Sequence, residues 1–197
     1  MTRQQRLFAG AAEDVASSMP EGFRYQPDFI DSEIERDLVG HLQTLELKPF
    51  EFHGHLGNRR VVSFGLRYNY DQREVQSARE IPPFLDELRA KAAEFAGRSA
   101  QEVRQVGVNE YRAGAGIGWH RDKPEFGDVV GVSLLKPAKM RLRKWGEQKW
   151  ERRSVVLQPR SIYLLSGPAR QQWEHSIPPV EELRYSIMFR TLVDTAG

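Results

Sequence analysis

After Asp31, apolar residues recur at helical spacing: Ile34, Leu38, Leu42 and Leu45. The pattern predicts a helix capped by Asp31 or Ser32 and stopped by Pro49. A second stripe, Leu85, Leu88, Ala92 and Phe95, predicts a helix from about Pro82 to Ala96, with Gly97 as its terminator. Between the two, residues 50–70 are rich in Gly, Asn and aromatics and read as strands in a hairpin turning at Gly57-Asn58. After Gly97 the spacing changes to two. Strands are expected at Gln105–Tyr111, Val129–Leu135, Lys139–Lys144, Ser154–Leu157, Ser161–Leu165 and Arg184–Leu192, with turn chemistry such as Gly114-Ala115-Gly116, Lys136-Pro137 and Gln158-Pro159 between them. Helices first and many short strands afterwards predict an α+β class with largely antiparallel sheets. No repeat or linker divides the chain. A single domain over residues 1–197 is expected: a loose segment over 1–25, helices and a hairpin over 26–97, and a strand-rich core over 98–197.

Composition narrows the function classes. Of 197 residues, 40% are hydrophobic and 28% charged, the balance of a soluble globular chain. No apolar run approaches a membrane span, and Met1 to Ala16 lacks an apolar stretch of signal-peptide length, so a cytoplasmic protein without a membrane partner is expected. Cysteine is absent, which excludes disulfides, thiolate metal sites and a thiol nucleophile. The net charge is only +2, but its distribution is uneven. The 18 residues from Lys136 to Arg153 hold eight Lys and Arg, including Lys149, Arg152 and Arg153, against Glu147 and Glu151, with Trp145 and Trp150 interleaved. Arg59, Arg60, Arg67 and Arg73 sit similarly among Phe64, Tyr68 and Tyr70. Such mixtures suit single-stranded nucleic acid, and equally a solvated hairpin face.

Five histidines are present. His41 belongs to the first helix and reads as an ordinary helical histidine, and the His53-x-His55 pair has no further ligand at suitable spacing and reads as structural or substrate-side. His120-Arg121-Asp122 differs: on an extended segment its first and third side chains project to one side. His175, 55 residues on, supplies a third ligand if the strands close on one another. Two histidines and a carboxylate with open positions fit a non-haem Fe(II) oxygenase, and also a zinc hydrolase. In the strand that follows His175, Tyr185, Ile187 and Phe189 share one face, and Arg184, Ser186, Met188 and Arg190 the other. Arginines on an inward face require anionic partners, such as a small dicarboxylate chelating the metal by its other end; the alternative is an edge strand with both arginines solvated.

In order along the chain stand Asn109-Glu110-Tyr111, Gly114-Ala115-Gly116, His120-Arg121-Asp122, His175 and Arg184 to Arg190. From about Ile81 to Leu192 the chain resembles the AlkB family of Fe(II)- and 2-oxoglutarate-dependent dioxygenases. The resemblance implies a double-stranded β-helix, or jelly roll, as the catalytic core, with the N-terminal helices packed on one side. It implies Fe(II) on His120, Asp122 and His175, and 2-oxoglutarate against Asn109, Tyr111, Arg184, Ser186 and Arg190, with O2 as the oxidant. The implied reaction is oxidative demethylation of an alkylated base in DNA or RNA, by a monomer, releasing succinate, CO2 and formaldehyde. A protein side chain or small molecule as substrate, or a catalytically silent binding module, are the alternatives. Phe64, Tyr68 and Tyr70, with Trp119 as a weaker candidate, would sandwich the base, and Lys149, Arg152 and Arg153 would hold phosphates. Two departures stand out. Ser186 and Met188 replace the Asn and Thr of the family's final strand. Pro124 occupies the place of an acid that reads the methylated base in the best-known DNA-repair member, with Glu125 as a stand-in.

Overall fold

The computed structural model describes residues 18–52, 55–70 and 72–193. In chain order its elements are β1 (Phe23–Gln26), α1 (Ser32–Gln43), β2 (Lys48–Phe52), β3 (His55–Phe64), β4 (Leu66–Asn69), β5 (Glu74–Ser77), α2 (Asp86–Ala96) and β6 (Val103–Tyr111). There follow β7 (Ile117–His120), β8 (Phe126–Leu134), β9 (Ala138–Trp145), β10 (Trp150–Leu157), β11 (Ile162–Leu165), α3 (Gly167–Gln171), β12 (Glu174–Ile177) and β13 (Arg184–Leu192).

Two sheets face each other. The larger has the order β1-β11-β8-β13-β6-β3-β2, the smaller β10-β9-β12-β7, and neighbours in both run antiparallel. β4 and β5 form a separate ribbon. This is a jelly roll, as expected. Its interior is set by alternation along β13: Tyr185, Ile187 and Phe189 pack in a core with Leu38 and Leu42 of α1 and Leu88 and Ala92 of α2. Met188 packs in a second core with Met140 and Leu142 of β9 and Val155 and Leu157 of β10, between the sheets. The period of two therefore assigns Arg184, Ser186 and Arg190 to the space between the sheets.

Local chemistry agrees with these elements. The Asp31 carboxylate caps α1 by accepting from the backbone N–H of Glu33 and Ile34 at 2.9 and 2.8 Å. Gly97, at φ 71°, ends α2 in the left-handed region. Glu35 of α1 ties the helix to the larger sheet, accepting from the Leu135 N–H at 2.8 Å and from Arg160 at 3.0 Å.

Four expectations change. Gly57-Asn58 lies inside β3 and makes no turn: Phe52 pairs with His55, so the strands reverse earlier. His53 lies outside the described residues. Phe23 to Gln26, inside and just beyond the segment expected to be loose, pairs with β11 as the outermost strand of the larger sheet. Strand β10 begins at Trp150, four residues before the expected start. Finally, β7 and β12 carry no periodic signal, yet both metal-ligand histidine candidates stand on them.

Candidate metal and cosubstrate site

In the pairing of β12 with β7, His175 lies directly opposite His120, and their ring centroids are 4.2 Å apart. Asp122 follows two residues after His120, and the ligand atoms of all three residues lie within 4.8 Å of one another. Among the described residues this is the one His/Cys/Asp/Glu group of that kind. His120 Nδ1 is 2.9 Å from the Gly118 carbonyl, which can only accept; the proton is therefore on Nδ1 and Nε2 keeps its lone pair.

The carboxylate of Asp122 is divided between two tasks. Its Oδ1 accepts from Arg190 Nε at 2.9 Å and lies 2.8 Å from Arg190 Nη2. Its Oδ2 is buried with no hydrogen-bond partner, 3.5 Å from His175 Nε2. Burial pushes the Asp122 carboxyl up, but Arg190 and the two histidines outweigh it and hold the group well below the usual range. Burial, reinforced by His120, lowers His175 to about 3. Burial lowers His120 as well, against the pull of Asp122. At neutral pH the cluster thus presents two neutral imidazoles and one carboxylate with an unused oxygen. That donor set fits a divalent metal: an oxygen left unpartnered in a buried site is costly unless something positive binds it.

Arg190, expected on the cosubstrate, grips Asp122 with its guanidinium, and its Nη1 donates to Gln105 Oε1 at 2.8 Å. Gln105 was missed, although it shares the interior face of β6 with Asn109 and Tyr111 by simple alternation. Gly107, on the same face, leaves room for this: a Cβ there would stand 3.3 Å from Arg190 Nη1. At the other end of β13, Arg184 is 1% exposed. It donates from Nη2 to Ser133 Oγ at 3.0 Å, its guanidinium lies 4.9 Å from the Tyr111 ring centre, and its Nε is buried without a partner. No carboxylate of the described residues pairs with it, the condition of a cation awaiting an anionic ligand. Ser186 pairs in register with Asn109 and with Ser133, so the expected cosubstrate residues line one wall. Ser186 Oγ lies 3.3 Å from Met188 Sδ. The Tyr163 hydroxyl reaches the same sulfur at 3.5 Å, across Gly131, where any Cβ would collide with its ring.

A cavity of about 990 Å³ opens over the metal cluster, lined by His120, Asp122, Asn109 and Arg190 and, farther out, by Phe50, Tyr68, Tyr70, Arg59 and Lys123. The expected aromatic residues separate here. Tyr68 and Tyr70 line the cavity, edge to face at 5.2 Å. Phe64 does not: it is 3% exposed and belongs to the helix-side core. Phe50, missed in the sequence, replaces it, edge-on to Tyr70 at 5.8 Å. Glu125, expected to stand in for the acid that Pro124 replaces, is not among the lining residues either, and its Oε2 is buried without a hydrogen-bond partner.

Lys149, Arg152 and Arg153 are exposed on the β9–β10 hairpin and do not line this cavity. On that hairpin's outward side, the Arg143 guanidinium sits 4.4 Å from Trp119 and 4.3 Å from Trp150, and Trp145 is 58% exposed. Trp119 lines the cavity as well, so this basic, indole-rich face reaches its edge.

A jelly roll with a His-x-Asp…His cluster inside it defines a metal-dependent oxygenase class, and comparison with known proteins gives the family. Residues 22–190 match the 2OG-Fe(II) oxygenase superfamily, and the chain belongs to it. It is an AlkB-like dioxygenase, whose cofactors are Fe(II), 2-oxoglutarate and O2. Its relatives include an alkylated DNA repair protein ALKBH8 homolog of Arabidopsis thaliana, 30% identical over 62% of this chain and 42% of that protein. The tRNA (carboxymethyluridine(34)-5-O)-methyltransferase ALKBH8 of Mus musculus is 27% identical over 82% of this chain and 25% of that protein. The mitochondrial alpha-ketoglutarate-dependent dioxygenase alkB homolog 7 of Bos taurus is 27% identical over 91% of this chain and 77% of its own length. The chain thus spans less than half of the Arabidopsis relative and about a quarter of the mouse one. Among solved structures, OsALKBH1 superposes with a TM-score of 0.68 at 16% identity, covering 88% of this chain and 98% of that one. A Pseudomonas putida prolyl-4-hydroxylase gives 0.62 at 13% identity, covering 95% and 100%. These two likenesses concern the fold.

Proposed function

We propose that the protein oxidatively demethylates alkylated bases in DNA or RNA. His120, Asp122 and His175 would hold the iron, the free lone pair of His120 Nε2 and the unpartnered Asp122 Oδ2 being available to it. Arg184 would pair with the far carboxylate of 2-oxoglutarate, with Asn109, Tyr111 and Ser186 beside it. The metal and cosubstrate, when bound, supply the oxidising power that turns an N-methyl into an N-hydroxymethyl group, which leaves as formaldehyde. The chain's own residues supply geometry. Arg190 fixes the Asp122 rotamer, so that one carboxylate oxygen is committed to protein and the other is offered to metal. The Gly118 carbonyl fixes the His120 tautomer. The two sheets and the α1–α2 side exclude water from the buried end.

The observation that carries the reading is the pairing of that half-used carboxylate with an aromatic-walled cavity directly above it. Tyr68, Tyr70 and Phe50 offer π-faces to a base taken out of the stack. The Arg143–Trp119–Trp150 face and the Lys149, Arg152 and Arg153 hairpin offer the strand a basic surface running to the cavity edge. The names of the Arabidopsis and mouse relatives, which refer to DNA repair and to tRNA, support a nucleic-acid substrate. The test uses purified protein with Fe(II), ascorbate and 2-oxoglutarate on a panel of methylated oligonucleotides, following succinate, formaldehyde and the repaired base. Demethylation of at least one oligonucleotide is expected. Succinate formed with every oligonucleotide left unchanged would keep the dioxygenase and move the substrate to a protein side chain or small molecule.

A further inference from the structure

The wall that would hold the substrate ring already carries cations of its own. Lys123 Nζ lies 4.7 Å from the centre of the Tyr68 ring and 4.7 Å from that of Tyr70. The Arg59 guanidinium lies 4.4 Å over Phe50. Each of the three rings therefore has a basic group of the protein beside it, within the range of a cation–π contact.

Among the described residues, three acids line this mouth, and of these Asp122 is committed to Arg190 at 2.8 Å. Glu46 is within 3.4 Å of Arg79 and 3.8 Å of Lys48. Glu51, the third, is an exposed residue of β2. Pro124 and Glu125 are both absent from the lining.

We infer that this mouth discriminates by substrate charge, admitting a neutral or anionic modified base and rejecting a ring that carries a fixed positive charge, with Lys123 as the discriminating residue. The inference rests on the base-binding reading of the cavity. A cationic ring stacked on Tyr68 or Tyr70 would compete with Lys123 for the same π-faces and meet its like charge at contact range. At the dielectric of a half-buried site that repulsion is large. A neutral ring only displaces the ammonium sideways. There the ammonium, with three N–H donors and no acceptor of its own, can bond a carbonyl or carboxylate of the substrate. An acid in place of Lys123 would reverse the preference.

Two near-isosteric nucleosides isolate the effect: 3-methylcytidine, a cation at neutral pH, and 3-methyluridine, which is neutral. Binding to the holoenzyme, kept anaerobic with Fe(II) and 2-oxoglutarate, is followed by quenching of protein fluorescence. This readout does not depend on turnover. The wild-type protein should bind 3-methyluridine about tenfold or more tightly than 3-methylcytidine. Lys123→Met should bring the two within about threefold, and Lys123→Glu should invert the order. Equal or tighter binding of the cation by wild type, a ratio unmoved in Lys123→Met, or binding of neither nucleoside would each overturn the inference. If the ratio holds while no methylated oligonucleotide is demethylated, the charge rule stands and the demethylase reading alone fails.

Discussion

The two ends of the cavity are held in different ways. At the metal end directional bonds fix the polar groups: His120 Nδ1 to the Gly118 carbonyl, Asp122 Oδ1 to Arg190, Arg190 Nη1 to Gln105. His120, Gln105 and Arg190 sit on strands of both sheets and Asp122 just after β7, and the side chains of His175 and Asp122 are only 9% and 7% exposed. At the mouth, Tyr68, Tyr70, Phe50, Arg59 and Lys123 meet through ring edges and cation–π contacts. Tyr68 stands on the separate β4–β5 ribbon. Directional bonds in a buried frame define one geometry, whereas π contacts tolerate several, so the reaction is built into the roll and the choice of substrate into its rim.

The sharpest way to break the buried end is to remove its carboxylate. Asp122→Ala should abolish succinate formation while circular dichroism and thermal unfolding still report a folded protein, because a metal anchor is lost while Arg190, its side chain 17% exposed, keeps its bond to Gln105. Near-native succinate production would refute the iron assignment.

Arg190→Met is next in size. It leaves all three ligands in place and removes only the grip on Oδ1. Metal affinity, followed by titration with Co(II), should fall about 10–100-fold, the usual cost of losing a partner of a metal ligand. An unchanged affinity would mean that Asp122 is oriented by packing alone.

Arg184→Ala should raise the 2-oxoglutarate concentration needed for half-maximal succinate formation by about tenfold or more, with much less effect on nucleic-acid binding. The comparison is sharpened because Arg184 and Arg190 share a strand face but are assigned different partners, one the cosubstrate and the other the metal ligand. An unchanged requirement would make Arg184 a structural residue bonded to Ser133.

The smallest effect belongs to the outer surface. Replacing Lys149, Arg152 and Arg153 together by alanine should weaken single-strand binding and reduce the log–log salt slope by roughly 0.7 for each phosphate that is no longer neutralised. Sequence preference should not change, since phosphates carry no base information. Identical affinity and slope would leave the hairpin as a solvated face.

Those four residue sets differ in how early they could be seen. His120-x-Asp122 and the Arg184 to Arg190 alternation are legible because a strand's period of two is a local property: neighbours i and i+2 share a face whatever the strand packs against. The helix stripes at Leu38 and Leu85, the Asp31 cap and the Gly97 stop are local for the same reason. The class of fold followed from these, and the cysteine-free composition had already removed thiolate chemistry.

Tertiary structure decided what periodicity cannot reach. Strands β7 and β12 are four residues each, too short to show a repeat, so the opposition of His120 and His175 exists only once β12 is paired. Phe64 and Tyr68 look alike as aromatic strand residues, but Phe64 ends β3 on the helix-covered side of the larger sheet, whereas Tyr68 stands on the separate ribbon and lines the cavity. Lys123 carries no pattern at all. Its place over two tyrosines depends on the ribbon β4–β5 meeting the segment after Asp122, stretches far apart in the chain that the closing of the roll brings together. Local spacing fixes which face a side chain takes; only the packing of distant segments fixes what that face meets.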